Sequence, residues 1–284
     1  GWNVASGEFV VVRAKTVVSA QGRSATRGFN NSTHNPFNVW MYPYNTSAGV
    51  VLGYDAGAAV TELDTYQRAT MLPKGYGCPG MNGINNMGGH ELNARGERFM
   101  GKYDPMLENG LRRNQVMGTF QEMLEGYGPP FFMDMTHFTT EDARHLQYDL
   151  MPGDKETYLE YCEARKIDFT KTPLEVEVGE RMIGGIVRSD ATQETDVENL
   201  FNGNIIHSFS GAMCLGYAAG GFAARKAAEV EMPSLPEDMV ERRRAEIYAP
   251  LENGGKGSVS WNVFEDGIRQ VMDYYVGYQR TEGS

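Results

Sequence analysis

Two stretches, Thr46 to Val60 and Gly216 to Val230, carry small and apolar residues at helical spacing, and they narrow the possible folds most. A helix written in Gly and Ala has no bulk with which to fill gaps. It holds only where its backbone sits tightly on a neighbour. Around these helices lie short β-branched or apolar runs: Glu8 to Val12, Thr16 to Ser19, Phe131 to Met135, Leu174 to Val178, Met182 to Val187 and Leu200 to Ile206. Such runs read as strands, the first two as a hairpin or as adjacent strands. The fold class expected is α/β (α+β).

Further helices are expected at Leu111 to Glu125, ended by Gly126, at Thr140 to Leu150 with Thr140 as cap, and at Lys155 to Arg165. Glu237 to Tyr248 and Ser260 to Tyr278 make the last stretch helical. Glu62 to Met71 looks extended, and residues 23–45 look irregular. Residues 75–90 are rich in Gly, Asn and Met, the profile of a loop over a site, and Ser208 to Gly211 reads as a loop before the small-residue helix.

Composition sets outer limits. With 11% aromatic residues the chain can bury enough surface to offset its conformational entropy, which argues against disorder. No run approaches the roughly 18 apolar residues of a membrane span. The net charge of −11 argues against a nucleic-acid surface. Cys78, Cys162 and Cys214 are widely spaced and form no CxxC pair, so a reducing, cytoplasmic setting is expected. The sequence opens at Gly1-Trp2-Asn3 in mid-sheet, without initiator Met or signal pattern, and the expectation is that an N-terminal portion is missing.

Several segments resemble one family, the flavoprotein subunits of fumarate reductase, succinate dehydrogenase and adenylylsulfate reductase. Gly96-Glu97-Arg98-Phe99-Met100 with Tyr103 and Pro105 is similar to its "GERFM..Y.P". Gly7 to Arg23 resembles the strand pair ending in "ATGG", here Ala20-Gln21-Gly22-Arg23. Gly126 to Asp134 (GYGPPFFMD) is closest to the adenylylsulfate reductase branch. Met182 to Ile186 and Leu200 to Asn204 resemble "YTMGGI" and "LFA.GE". The likeness runs end to end, but no GxGxxG fingerprint is present, and that segment precedes all of this in the family.

The resemblance implies part of a Rossmann-like FAD-binding domain, with an inserted capping domain and a C-terminal helical domain. The bounds expected are 1–60 and 176–230 for the FAD-binding domain, 61–175 for the cap and 231–284 for the helical domain, cut short relative to the family. It implies FAD as cofactor, with Ala20, Gln21, Gly22, Asn204 and the Ser210, Gly211, Ala212, Met213, Cys214, Leu215 segment lining it. In such enzymes the flavin carries the redox step, and the protein orients substrate and tunes the ring.

Four family motifs that clamp a dicarboxylate are altered. Gln67-Arg68-Ala69-Thr70 stands for "HPTG", and Gly83 to Gly89 stands for "GCRGEGG", with Asn86 taken at the arginine position. Glu180 stands at the "HYTMGG" histidine, and Cys214 replaces the arginine of "HGANRLGG". An unsaturated dicarboxylate needs cations on its carboxylates and a proton donor, so another, anionic substrate is expected. Arg68, Asn86, His90 and Arg181 are the candidates to face it. Several of these residues have a plainer reading. Arg181 suits an ion pair, His90 a loop histidine and Cys214 a small packing residue. No metal set is read from the scattered histidines. The other functional reading is a non-catalytic or split-flavoprotein partner, completing a FAD site with a second chain that supplies the N-terminal segment. An iron–sulfur electron-transfer subunit is a further expected partner. No nucleic-acid partner and no transmembrane segment are expected.

Overall fold

The computed structural model describes residues 1–22, 44–63, 66–68, 71–75, 82–150, 156–177, 181–183, 186–204, 209–255, 257–276 and 283. The chain divides into two compact units. Unit 1 comprises Gly1–Arg23, Ser47–Thr65 and Gly184–Asp266, and unit 2 comprises Ser24–Thr46, Tyr66–Ile183 and Gly267–Ser284.

Unit 1 is built on a parallel pair of strands, β1 (Val17–Ser19) and β10 (Leu200–Asn202), with Val17 opposite Leu200 and Ser19 opposite Asn202. A parallel pair needs a long crossover, and here most of unit 2 lies within it in sequence. Helix α6 (Phe209–Glu229) packs on both strands. Its small residues permit that approach: Ala219 and Ala223 are buried against Phe201. Helix α1 (Ala48–Asp55) and the short antiparallel pair β2 (Val60–Thr61) with β9 (Ile186–Val187) complete the layer. Gly53 is buried, and a Cβ there would meet Val187 Cγ2 at 2.5 Å, so α1 rests on β9 through bare backbone. Helix α7 (Glu237–Glu252) is tied to the start of the chain by a hydrogen bond from the Tyr248 hydroxyl to Gly7 O (2.7 Å).

Unit 2 carries the larger core. Its four-stranded antiparallel sheet has the order β4 (Leu72–Pro73), β7 (Leu174–Glu177), β6 (Phe131–Asp134), β5 (His90–Leu92). Alternation puts Phe131 and Met133 of β6, and Leu174 and Val176 of β7, on the buried face. Phe99, Met100, Ile84, Leu146 and Tyr158 close over them. The last three come from helix α2 (Asn82–Asn86), a π-helical segment Leu146–Leu150 and helix α5 (Glu156–Arg165). Helix α3 (Arg112–Leu124) and helix α4 (Thr140–His145) lie between them in sequence. A separate antiparallel ribbon joins β3 (Tyr66–Arg68) to β8 (Arg181–Ile183). Helix α8 (Trp261–Tyr275) closes the order.

The structure corrects several local readings. Glu8 to Val12 is not a strand; Gly1 N–H and Val10 O bond at 3.1 Å and Trp2 bridges Phe9, so the run folds back on the first residues. The cap of α4 is Thr139, which exchanges hydrogen bonds with Asp142 in a capping box, and not Thr140. The 75–90 stretch contains α2 and ends at the first residue of β5; its residues 76–81 lie outside the described residues. Residues Ser210 to Leu215 are helical and not a loop, because α6 begins at Phe209. The segment lacks Pro and contains Ala, Met and Leu, so nothing in it stops the helix. The irregular reading for 23–45 falls almost wholly outside the described residues.

Candidate functional site

In unit 1 the parallel pairing draws together residues far apart in sequence. The strand ends at Ser19 and Asn202 are adjacent, and the chain leaves both on the same side. Gly203 N–H donates to Ser19 O (2.8 Å). Gly22 N–H donates to Asn204 Oδ1 (3.0 Å), and Asn204 N–H donates to Asn202 Oδ1 (2.9 Å). Asn202, itself buried, donates from Nδ2 to Val187 O (2.9 Å), which anchors the set to β9. Gly22 and Asn204 are therefore fixed against each other, with Gln21 next to Gly22 in the chain.

Glycine makes the approach possible at two points. A Cβ on Gly203 would lie 3.2 Å from Val18 Cγ1, 3.3 Å from Ala20 Cβ and 3.5 Å from Gly216 Cα. Strand β10 thus meets α6 backbone to backbone. A Cβ on Gly49 would overlap the Gln21 carboxamide, whose Oε1 accepts a hydrogen bond from Ser19 Oγ (2.9 Å). Gln21 is held between α1 and β1. The remaining candidates, Ser210 to Leu215, occupy the first two turns of α6, the end with partial positive charge. Met213 and Cys214 are exposed there. A cavity of about 450 Å³ opens beside β1, lined by Lys15, Val17, Ser19, Gln21, Gly49 and Asn199, among others.

In unit 2 the β3–β8 register makes Arg68 and Arg181 directly opposed partners; their side chains lie outside the described residues. Asn86 is exposed on α2, whereas its neighbour Asn85 is buried. Laid residue for residue on Gly83 to Gly89, the arginine of "GCRGEGG" falls on Asn85 and not on Asn86. Asn85 donates from Nδ2 to Glu91 Oε1 (2.9 Å). His90 is half-buried at the start of β5, opposite Asp134. Burial holds the His90 imidazole below its ordinary pKa, and the charges of Arg98 and His137 act in the same direction.

The "GERFM..Y.P" residues prove structural. Arg98 donates from Nε (2.9 Å) and Nη2 (2.6 Å) to the buried Glu108 carboxylate, which also accepts Glu91 N–H (3.0 Å). Burial alone would raise the pKa of Glu108, but the Arg98 and backbone hydrogen bonds win and lower it. Phe99 and Met100 fill the core. The Tyr103 hydroxyl donates to Glu122 Oε1 (2.8 Å), which Lys102 Nζ also meets at 2.9 Å, while Asn93 Nδ2 donates to Oε2 (2.8 Å). These hydrogen bonds outweigh the burial of Glu122 and lower its pKa. Glu91, with one side-chain donor, is pushed up to about 7 by burial, helped by the nearby Glu108 charge and opposed by Asn85. Residue pattern did not single out this buried carboxylate set; the Asn and Glu residues flanking the motif were its only signal.

No protein-family model matches the chain. It is 26% identical over 225 residues to a subunit of the fumarate reductase (CoM/CoB) of Methanothermobacter marburgensis, covering 76% of this chain and 38% of that protein. It is 26% identical over 288 residues to an uncharacterized FAD-dependent oxidoreductase of Methanocaldococcus jannaschii, covering 98% of this chain and 50% of that protein. In fold it matches adenosine-5-phosphosulfate reductase in complex with sulfite, with a TM-score of 0.76 and 18% identity, over 97% of this chain and 52% of that one. The chain thus spans about half or less of the length of these proteins. Among the described residues no helix is long and apolar enough to cross a membrane. By sequence the chain is similar to flavoprotein subunits of fumarate reductase and succinate dehydrogenase, and by fold it is similar to quinol-fumarate reductase and adenosine-5-phosphosulfate reductase.

Proposed function

We propose that this chain is part of an FAD-dependent oxidoreductase acting on an anionic substrate other than a C4 dicarboxylate. One observation carries the flavin assignment: the Gly22–Asn204 hydrogen bond across 182 positions, made where β1 and β10 end beside the glycine-to-glycine contact with α6. That arrangement exposes main-chain and amide groups at strand ends, where α/β sheets hold cofactors. Gln21, Gly22 and Asn204 would hold the ring by amide and backbone contacts, with the Ser210 to Leu215 turns of α6 beside it. When bound, FAD supplies the two-electron redox chemistry. The positive end of α6 would favour negative charge near residues Ser210 to Ala212.

The two-stranded parallel pair supports a further polypeptide segment at this site. Parallel sheets are ordinarily covered on both faces, yet Val17 is 53% exposed and Val18 36%. A segment carrying the adenosine-binding fingerprint, in the same or a second polypeptide, would complete the site, and an iron–sulfur subunit would exchange electrons with it.

Substrate recognition is assigned to Arg68 and Arg181. The backbone register that sets Arg68 opposite Arg181 supports this reading, since a single anion would offset two like charges on paired strands. Asn85 and Cys214 stand at the positions of the clamp arginines in the motifs that this chain resembles, which argues against fumarate.

The test is the flavin content and activity of natively isolated protein. Bound FAD, with turnover of sulfur oxyanions or electron-deficient alkenes by a reduced viologen dye and none of fumarate, is expected. A folded, colourless protein that does not take up FAD with its native companions overturns the proposal.

A further inference from the structure

The chain has five histidines, scattered through the sequence. Two of them meet only because β5 pairs with β6. His90 opens β5, Asp134 ends β6, and the two are register partners. His137 follows Asp134 by three residues and stacks on His90, with ring centroids 4.0 Å apart and planes inclined by 12°. One ligand atom from each of His90, Asp134 and His137 lies within 4.8 Å of the other two.

We propose that His90, Asp134 and His137 form a binding site for a divalent transition-metal ion of the zinc type. The ligand chemistry selects the class. Two imidazoles and one carboxylate suit zinc, cobalt or nickel, whereas calcium and magnesium take oxygen ligands. Three protein ligands leave a fourth tetrahedral position for water, and the exposure of His137 opens the group to solvent.

Hydrogen bonds hold two of the three ligands. His137 Nε2 lies 2.9 Å from Gly88 O. A carbonyl only accepts, so Nε2 carries the proton and Nδ1 keeps the lone pair. Ligating histidines are commonly held in this way, with the second nitrogen donating to a carbonyl. The carbonyl is aimed by Gly88, whose φ of +98° turns the chain between α2 and β5. Asp134 Oδ1 accepts from Thr136 N–H (2.9 Å) and Thr136 Oγ1 (2.7 Å), which fixes the carboxylate; its Oδ2 accepts no hydrogen bond among the described residues. The neighbouring cation, Arg98, is occupied by Glu108.

Ligands on a tetrahedral zinc are about 3.3 Å apart. The stacked rings lie in nearly parallel planes, so binding requires the exposed His137 ring to turn toward the ion as well as to close the present spacing. The ion would clamp the Gly88–His90 turn to the end of β6 at the edge of the sheet. It does not rest on the flavin assignment.

The test titrates chelator-stripped full-length protein with cobalt(II), followed by its visible absorption, and displaces it with zinc(II). One ion per chain is expected. His90→Ala and His137→Ala should each weaken binding by at least about 100-fold, and Asp134→Asn should weaken it measurably. His145→Ala, a histidine paired with Asp149 elsewhere, should change nothing. The wild-type chain also decides the matter without any variant: zinc should raise its melting temperature and shield His90 and His137, mapped by mass spectrometry, from diethylpyrocarbonate. No stoichiometric binding, binding untouched by the His90 and His137 substitutions, or unshielded rings would overturn the proposal.

Discussion

The main-chain N–H of Glu91 donates to Glu108 Oε1 at 3.0 Å, so the strand that buries one carboxyl group also fixes a second. The two carboxyls meet different fates. Glu108 has Arg98 and stays charged, whereas Glu91 has Asn85 and burial drives it up to about 7.

That difference has a pH signature. Glu91 has an ordinary value of 4.5 and a folded value of about 7, so its proton favours the folded chain. The contribution is complete below pH 4.5 and is lost as pH rises through 7. The amount is on the order of 3 kcal/mol. Glu91→Gln should remove this dependence, leaving the variant relatively more stable at pH 8 than at pH 5. Urea unfolding of both proteins at the two pH values reads it; equal pH dependence in both would sink the idea.

Arg98→Met should destabilise unit 2 by about 3 kcal/mol, because it strands a charge that is 1% exposed at Glu108. Adding Glu108→Gln should recover part of the loss. Thermal melting of the single and double variants checks this, and strict additivity would contradict it.

Gly118 lies inside α3, where Ala ordinarily gains about 1 kcal/mol. A Cβ there would sit 2.6 Å from Tyr103 Cδ2 and 2.7 Å from Cγ, too close for a ring tied to Glu122. Gly118→Ala should therefore lower stability by about 1–3 kcal/mol. Gly267→Ala, in open space within α8, should raise it. The two urea midpoints moving in the same direction would count against the packing argument.

Gly49→Ala tests the flavin assignment. The added methyl would evict the Gln21 carboxamide from its place beside Ser19. FAD affinity in the complete, natively assembled protein should fall about tenfold, the scale of one lost hydrogen bond to a fixed group, with an unchanged melting temperature of unit 2. Unaltered FAD binding would remove Gln21 from the site.

Local pattern revealed those parts of the fold that repeat on a short period. Phe131, Met133, Leu174 and Val176 alternate in sequence and alternate in burial. Arg98 and Tyr103 were legible as a motif, but their task was not, because Glu108 and Glu122 lie outside it. Helix α2 was hidden by its Gly and Asn content, poor formers that tertiary packing of Ile84 overrides. The His90–His137 stack was invisible because strand register, not spacing, creates it.

The parallel pairing of Val17 with Leu200 also dictates when the molecule can be finished. An antiparallel hairpin zips from its turn, but these strands have no turn to start from. Their contact carries the entropy of a very long closed loop unless the intervening chain has already collapsed. Unit 2, with its own deep core, is placed to condense early during synthesis and shorten that loop. The Gln21–Asn204 neighbourhood would then be among the last surfaces to form, competent only after ribosomal release of α6.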